Sequence, residues 1–260
     1  MVTYSNTAWP NDFRLVQLDS TGWSDDKSAA ANVRQTLQII PLLLNPPDAG
    51  VTSRRNIIMN GNIDLINTGT DITAKGGGSV TLHGGSQAIT SDPANNGIEE
   101  NNPELLGMNT NEEFFQSFFG ITKADAKLQS INMICDESSC LNQDGQPVSP
   151  GDFPGENIWI TGNTSIESNI GSEDHPVVLI IDGDLILDED VSIWGLIYFT
   201  SNGHKVQASG NGHLYGAILA ENENFIAGGD LTIEYDNSVL VAPRGGNGFY
   251  VKIAGTWRDF

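Results

Sequence analysis

Short apolar runs separated by Gly, Asn or Asp dominate the stretch from Val177 to Tyr235. The runs are rich in Ile, Leu and Val, which is typical of short strands. Four runs can be placed in register, with steps of 21, 17 and 21 residues between their first residues. These runs are Ile158–Thr161, Leu179–Asp182, Leu196–Phe199 and Ala217–Ala220. A β-rich repeat of about 20 residues predicts a coiled stack of repeat units, here called rungs. The strand edges of each rung form hydrogen bonds with the strands of the neighbouring rungs.

A shorter series of similar runs lies upstream, at residues 56–82, and is also broken by Gly and Asn. Together the two series predict a mainly β fold over residues 51–243, a β-solenoid similar to a right-handed parallel β-helix. Polar, turn-rich sequence predicts an excursion from this stack at about residues 86–156, with an inserted short helix. Residues 1–50 are predicted to form separate strands, and residues 244–260 a last strand and the tail.

The N-terminal residues favour strands over helices. Residues 13–18 alternate loosely between apolar and polar positions and predict a strand, and Asp19–Trp23 predicts a turn. Residues 27–44 could begin as a helix, but their β-branched residues and Pro41 favour a long strand.

One helix is clearly indicated inside the excursion. Thr110 is a good N-cap and Glu113 lies three residues later, which is the capping-box pattern. Gly120 is a natural residue to end the helix. Four phenylalanines form one apolar stripe: Phe114, Phe115, Phe118 and Phe119. We expect this stripe to seal an open end or a flank of the stack; a ligand or partner groove is the alternative.

The charge of the chain limits its partners. The 33 acidic and 12 basic residues give a formal net charge of -21. Such a surface repels polyanions and disfavours direct binding of nucleic acid. The one basic doublet, Arg54-Arg55, is too small for a phosphate-binding patch. No apolar run approaches the 18 or more residues that span a membrane, and the first 13 residues lack the features of a signal peptide.

The two cysteines, Cys135 and Cys140, lie in the sequence CDESSC. This spacing is not that of a CxxC redox motif, and there is no second pair to complete a zinc site. A local disulfide is favoured over two free thiols, and it would contribute about 2 kcal/mol by closing a short loop. A disulfide would also place the chain outside the cytosol.

An acidic cluster is the best candidate for metal chemistry. Its carboxylates belong to Asp182, Asp184, Asp188 and Asp190, and oxygen ligands two residues apart can chelate calcium. The sequence fits neither an EF-hand loop nor the nonapeptide of calcium-binding β-rolls. Structural turns, in which Asp side chains bond nearby backbone amides, are therefore favoured over a cation site.

No pattern of catalytic residues emerges. The four histidines form no HxxxH or HxH motif, and neither GxSxG nor a phosphate-binding loop occurs. Paired carboxylates could cleave a polysaccharide, but chance pairs are expected among 33 acidic residues. The sequence therefore predicts no enzyme activity and no cofactor.

Several stretches, taken in order, resemble the PilX-type minor pilins of bacterial type IV pili. The tail Gly255–Phe260 is similar to the way such chains often end. The rungs at Asn60–Ile66, Ile180–Leu185 and Ile193–Tyr198 resemble the family's β segments, and Glu112–Gly120 resembles a helix between them. Ser20–Trp23 is a weaker match. The resemblance covers most of the chain from about residue 13, although the family's basic leader and hydrophobic N-terminal helix are missing.

The resemblance implies a structural role rather than an enzymatic one. Minor pilins of this type are held by their N-terminal helix in the pilus or its inner-membrane platform. They prime assembly with other minor pilins and in some cases present a tip adhesin. Residues 1–50 would then complete part of a pilin-like sheet. The resemblance further predicts a membrane-inserted precursor with an apolar helix upstream of Met1, exposed on the pilus or on the periplasmic face of the inner membrane.

Two other functions fit a β-solenoid. One is a self-polymerising scaffold, which would need exposed rung ends that stack head to tail. The other is a carbohydrate-binding or carbohydrate-cleaving protein, in which exposed aromatic rings would stack on sugars. The candidate rings for this role are Trp159, Trp194, Tyr198 and Tyr215, although rings at such repeat positions more often pack between rungs.

Overall fold

The structure is a computed structural model that describes residues 2–5, 15–41, 43–137, 139–188, 190–200, 205–221, 224–240 and 248–259. The described residues form a mainly β protein with two sheets. The chain divides into two compact units. The terminal unit comprises Met1–Leu44 and Gly245–Phe260, and the central unit comprises Asn45–Arg244.

The strands are, in chain order, β1 (Val2–Ser5), β2 (Leu15–Trp23), β3 (Ala30–Pro41), β4 (Val51–Ser53), β5 (Asn56–Asn67), β6 (Ala74–Gly76), β7 (Val80–Gly84), β8 (Gln87–Thr90), β9 (Ile98–Glu99), β10 (Ile131–Cys135), β11 (Cys140–Leu141), β12 (Pro147–Val148), β13 (Asn157–Thr161), β14 (Thr164–Ile166), β15 (Val177–Asp182), β16 (Leu185–Leu187), β17 (Ser192–Phe199), β18 (Lys205–Ala220), β19 (Asn224–Glu234), β20 (Gly248–Lys252) and β21 (Arg258–Asp259). The helices are α1 (Pro103–Gly107), α2 (Asn111–Phe119), α3 (Lys123–Leu128) and α4 (Asn237–Leu240).

The terminal unit is an antiparallel sheet with the strand order β1–β2–β3–β20, and β21 also pairs with β3. The long strand predicted within residues 27–44 is confirmed as β3. The predicted turn at Asp19–Trp23 is wrong, because β2 continues to Trp23, which lies opposite Ala30. Continuation is favoured because each of these residues finds a ladder partner on β3, including an ion pair of 2.6 Å between Asp19 and Arg34.

Three parallel ladders organise the central unit. The first ladder runs through β10, β13, β15, β17, β18, β4, β6 and β9. The second runs through β17, β18, β19, β5 and β8, and the third through β14, β16, β18, β19, β5 and β7. Successive segments of β18 belong to all three ladders.

Side chains from all three ladders pack into one hydrophobic core cluster in the central unit. In the first ladder, aliphatic residues of eight successive strands are register partners: Ile131, Ile158, Leu179, Ile197, Ile218, Val51, Ala74 and Ile98. The middle six of these side chains belong to one hydrophobic core cluster. Burial of such a continuous column is the main favourable contribution to the stability of stacked rungs.

The spatial order of the rungs differs from their order in the sequence. Strand β19, the last of the later series, pairs in parallel with β5 of the earlier series over eleven residue pairs. The chain therefore enters the stack at β4 and β5 and reaches one end of the first ladder at β9. It then passes through α1, α2 and α3 and resumes at the opposite end, at β10.

Two details of the predicted repeat are corrected. Leu179 pairs with Ile197 rather than with Leu196, a shift of one residue that places Ile197 in the core. The stack also includes more of the sequence than expected, because β8, β9 and β10 pair with neighbouring rungs although they fall within residues 86–156. Among its described residues, the excursion carries three α-helices and a short 3-10 helix, Pro150–Asp152, rather than one helix.

Two glycines lie inside strands β17 and β18, at positions where the backbones of neighbouring strands approach closely. Gly195 and Gly216 are register partners, with φ angles of +146° and +141°. The flanking residues of the two segments are also register partners, since Trp194 pairs with Tyr215 and Leu196 pairs with Ala217. Residues with a side chain rarely adopt this backbone conformation.

Candidate functional site

The helix α2 covers a flank of the first ladder. Its predicted capping box, made by Thr110 and Glu113, is present, and Gly120 ends it in the left-handed conformation with φ of +69°. Phe114, Phe115 and Phe119 are fully buried against Tyr198, at ring-centroid distances of 5.1 to 6.1 Å. The stripe therefore covers a flank of the stack rather than an open end, and both positions were expected from the sequence.

A buried polar network lies beside these aromatic rings. The Glu221 side chain is fully buried and forms an ion pair with Lys123 of α3, whose Nζ lies 2.9 Å from both carboxylate oxygens. Tyr198 donates its hydroxyl proton to Glu221 Oε2 at 2.7 Å. Arg54 donates from Nε to the backbone carbonyl of Glu221 at 3.2 Å and from Nη1 to that of Met108 at 3.4 Å. The network thus joins the helical segment to the stack.

Burial shifts the protonation of two groups in this network. Desolvation, followed by the nearby charge of Glu221, raises the pKa of Tyr198 well above its usual value. Desolvation also raises the pKa of Glu221, although Lys123 and Tyr198 act in the opposite direction. Both groups therefore hold a proton more tightly in the folded chain than in the unfolded chain.

Replacing Tyr198 should change how stability depends on alkaline pH. Above about pH 10, unfolded Tyr198 loses its proton while folded Tyr198 keeps it, so the natural chain should lose up to about 1.4 kcal/mol of stability per pH unit from this group. Tyr198→Phe should lack this component of the slope. Urea unfolding between pH 8 and pH 11 measures it. Tyr215→Phe, on the half-exposed surface, is the matched control, and equal slopes in all three chains would contradict the prediction.

A disulfide joins Cys135 and Cys140, which confirms the favoured interpretation of this pair. The two cysteines are register partners in the antiparallel pair β10–β11. Strand β12 follows on β11, so this short antiparallel segment covers the edge of β10 at one end of the stack. Proline at the start of β12 limits further pairing at this edge.

The four acidic candidates for a metal site do not converge. Among the residues that the structure describes, no group of three or more His, Cys, Asp or Glu side chains could hold a metal ion. Three of the carboxylates accept hydrogen bonds from other rungs: Asp182 from Thr200 Oγ1 at 2.7 Å, Asp184 from the Lys205 backbone at 3.1 Å, and Asp190 from Asn211 Nδ2 at 3.3 Å. Asp188 donates its backbone N–H to the Ile166 carbonyl oxygen. They therefore fit the structural role of turn residues.

The four aromatic candidates for sugar binding fall into two groups. Tyr198 is fully buried, and Trp159 is 6% exposed with Lys127 Nζ 5.2 Å from its ring centroid. Burial rules out stacking of Tyr198 on an external sugar, whereas Trp159 lines a cavity of about 280 Å³ together with Lys127. Trp194 and Tyr215 lie half-buried on the outer side of the second ladder, with ring centroids 5.1 Å apart and an interplanar angle of 15°.

The second ladder also carries a group of polar side chains that the sequence analysis missed. We define this polar face as Asn62, Asp64, Asn211, His213, Asp230 and Thr232, which line a groove of about 330 Å³. These residues form two rows across strands β18, β19 and β5, and the members of each row are register partners. The first row contains Asn211, Asp230 and Asn62, and the second contains His213, Thr232 and Asp64. The His213 ring stacks on Tyr215 at a centroid distance of 3.9 Å.

Hydrogen bonds orient the acidic groups in and beside this groove. Each bond joins side chains on neighbouring rungs: Asn62 Nδ2 to Asp230 Oδ1 at 2.7 Å, Gln87 Nε2 to Asp64 Oδ1 at 2.8 Å, and His213 Nε2 to Glu234 Oε2 at 3.2 Å. A sequence signal for the face exists. Three segments share the alternation of two polar residues with a nonpolar one between: Asn62-Ile63-Asp64, Asn211-Gly212-His213 and Asp230-Leu231-Thr232.

No protein-family model, curated protein or solved structure matches this chain. Within the described ranges, none of the helices has the length and apolar composition that crossing a membrane requires.

Proposed function

We propose that this chain is the globular portion of a minor-pilin-like protein of a type IV pilus. Its role is structural: it primes pilus assembly or is displayed at the tip, where it contributes to adhesion. Its partners are other minor pilins and a tip adhesin, and its location is the pilus or the periplasmic face of the inner membrane. The central unit is proposed to be a right-handed β-solenoid, since crossovers between parallel strands are right-handed in about 98% of cases.

The topology of the terminal unit is the observation that carries this proposal. Strands β3 and β20 are neighbours in one antiparallel sheet, although the whole central unit lies between them in the sequence. The central unit is thus a large insertion in a small sheet that contains both terminal segments. This arrangement suits a protein whose sheet belongs to an assembly and whose insertion forms a separate compact unit. The disulfide is also compatible with an exported chain.

The distribution of charge supports two different roles for the units. Residues 1–44 and 245–260 contain five acidic and five basic residues, whereas residues 45–244 contain 28 acidic and seven basic residues. The terminal unit therefore has no formal net charge, and the entire excess of -21 belongs to the central unit. A neutral surface suits close packing among similar subunits, and an acidic one favours solubility.

The geometry does not favour a self-polymerising scaffold. Head-to-tail growth requires two complementary open ends. The antiparallel strands β11 and β12 occupy the β10 edge, where a further parallel strand would have to add. Stacking of a second copy at this end would require that segment to be displaced, together with its disulfide.

Co-purification with the other minor pilins of the same organism tests the proposal. The immobilised chain should retain the soluble part of at least one of them. Trp23 and Trp257 of the terminal unit are 64% and 58% exposed, and aromatic residues of this kind often dominate interface energetics. We expect Trp23→Ala with Trp257→Ala to weaken retention by at least about tenfold.

Leu128→Ala is the matched control, because Leu128 is 83% exposed but belongs to the central unit. It should leave retention unchanged. Failure to retain any minor pilin would contradict the proposed function, and an equal effect of the control would contradict the assignment of the interface to the terminal unit.

A further inference from the structure

We propose that the polar face binds a saccharide that carries no negative charge. This inference goes beyond the proposed structural role and does not depend on it. The face lies on the outer side of the second ladder, and its side chains are half-buried or exposed around the groove of about 330 Å³. A concave site with a few oriented polar groups is typical of ligand-binding sites.

The geometry of the groove suits hydroxyl groups on a chain of sugar rings. Its side chains are amides, carboxylates, an imidazole and a hydroxyl, which together supply both donors and acceptors. Neighbouring rungs repeat at about 4.8 Å, so matching polar groups recur along the stack axis. A ligand with hydroxyl groups at regular intervals can therefore bond to successive rungs.

The cross-rung hydrogen bonds hold the acceptor groups in fixed directions. Asn62 holds Oδ1 of Asp230, and Gln87 holds Oδ1 of Asp64. A hydroxyl donor can then bond to a carboxylate without first ordering its side chain, which reduces the entropic cost of binding. This arrangement is a property of the folded stack, because the paired residues lie 168 and 23 positions apart in the sequence.

The flat imidazole ring of His213 forms part of the groove wall. His213 lines the groove and stacks on Tyr215, which in turn stacks on Trp194 in the neighbouring rung. Sugar rings have one face of C–H groups, and such a face packs favourably on an aromatic surface. Trp194 and Tyr215 do not line the groove themselves; Tyr215 orients the His213 ring, and the His213 ring supplies the flat surface beside the hydrogen-bonding groups of the polar face.

Other classes of ligand fit less well. Asp64, Asp230 and the adjacent Glu234 would repel phosphate, sulfate or acidic sugars. In the part of the chain that the structure describes, no set of acidic and histidine side chains is arranged to hold a metal ion. An apolar ligand would leave the polar groups of the groove without hydrogen-bond partners.

A glycan array containing neutral, amino-sugar and acidic oligosaccharides tests this inference with the whole chain. We expect binding to neutral or amino-sugar oligosaccharides and none to acidic ones. Calorimetric titration with the best neutral oligosaccharide then measures affinity. Asp230→Ala should weaken this affinity by at least about tenfold, because a charged acceptor is lost.

Asn224→Ala is the matched control. Asn224 and Asn56 form the same kind of cross-rung side-chain hydrogen bond between β19 and β5, at 3.0 Å, but lie outside the groove. The control should bind the oligosaccharide as tightly as the natural chain, and both variants should retain the native circular dichroism spectrum. Silence on the whole array, binding of acidic glycans only, or equal effects of the two variants would overturn the inference.

Discussion

Replacing Gly216 with alanine is expected to lower the free energy of unfolding by more than about 4 kcal/mol. The backbone at Gly216 has φ of +141°, which strains any residue with a side chain. An added Cβ would also lie 1.9 Å from the carbonyl oxygen of Gly195 in the neighbouring rung. Because the two glycines belong to one in-register ladder, relief of this overlap requires the rungs to separate.

Urea denaturation monitored by tryptophan fluorescence measures this effect. Gly107→Ala is the control, because an added Cβ there would meet nothing within 4 Å and φ is not in the left-handed region. The control should change stability by no more than about 1 kcal/mol. If the Gly216→Ala and Gly107→Ala variants unfold at the same urea concentration, the close approach of Gly216 to Gly195 is not important for the stability of the fold.

Features encoded by adjacent residues could be predicted from the sequence. The helix α2 is an example, since Thr110, Glu113 and Gly120 supply its start and end within eleven residues. The disulfide is another, because only two cysteines are present and they lie five positions apart. The apolar runs likewise identified most strands of the later series.

The register between paired strands is harder to predict from the sequence, because local hydrophobicity does not distinguish neighbouring aliphatic residues. Leu196 and Ile197 are both apolar, and the choice between them depends on which side chain faces the core opposite Leu179. The pairing of β19 with β5 could not be predicted for a different reason. Their pairing is a long-range contact between two strands that lack any connecting turn.

The polar face and the buried network around Glu221 also depend on contacts between residues that are far apart in the sequence. Asn62 and Asp230 meet only because β5 and β19 are neighbours, and Lys123 meets Glu221 only because α3 lies along the flank of the stack. Each partner alone has the sequence context of an ordinary surface residue. Sites assembled across rungs therefore become visible only when the order of the rungs is known.

Lys123→Met is expected to lower the free energy of unfolding by about 3 kcal/mol at neutral pH. The Glu221 side chain is fully buried, and loss of Lys123 leaves its carboxylate with the Tyr198 hydroxyl as a side-chain donor and with the more distant charge of Arg54. Removal of one member of a buried ion pair is costly because the other charge stays desolvated. Urea denaturation at pH 8 measures the loss.

Two variants separate the buried charge from other effects of the substitution. Lys127→Met removes an exposed lysine from the same helix, with Nζ over the Trp159 ring, and should cost no more than about 1 kcal/mol. Adding Glu221→Gln to Lys123→Met should recover part of the stability, because the uncompensated charge is then absent. Equal losses for the two lysine variants would show that the ion pair does not stabilise the attachment of α3.

The pH dependence of Lys123→Met provides an independent check. Burial raises the pKa of Glu221 above its usual value, and loss of Lys123 removes an interaction that lowers it. A carboxyl group with a raised pKa in the folded state stabilises the fold at low pH, and this contribution is lost as the pH rises. The deficit of Lys123→Met relative to the natural chain should therefore be smaller at pH 5 than at pH 8. A deficit that does not depend on pH would mean that lost packing of the lysine side chain, rather than the buried charge, is the cause.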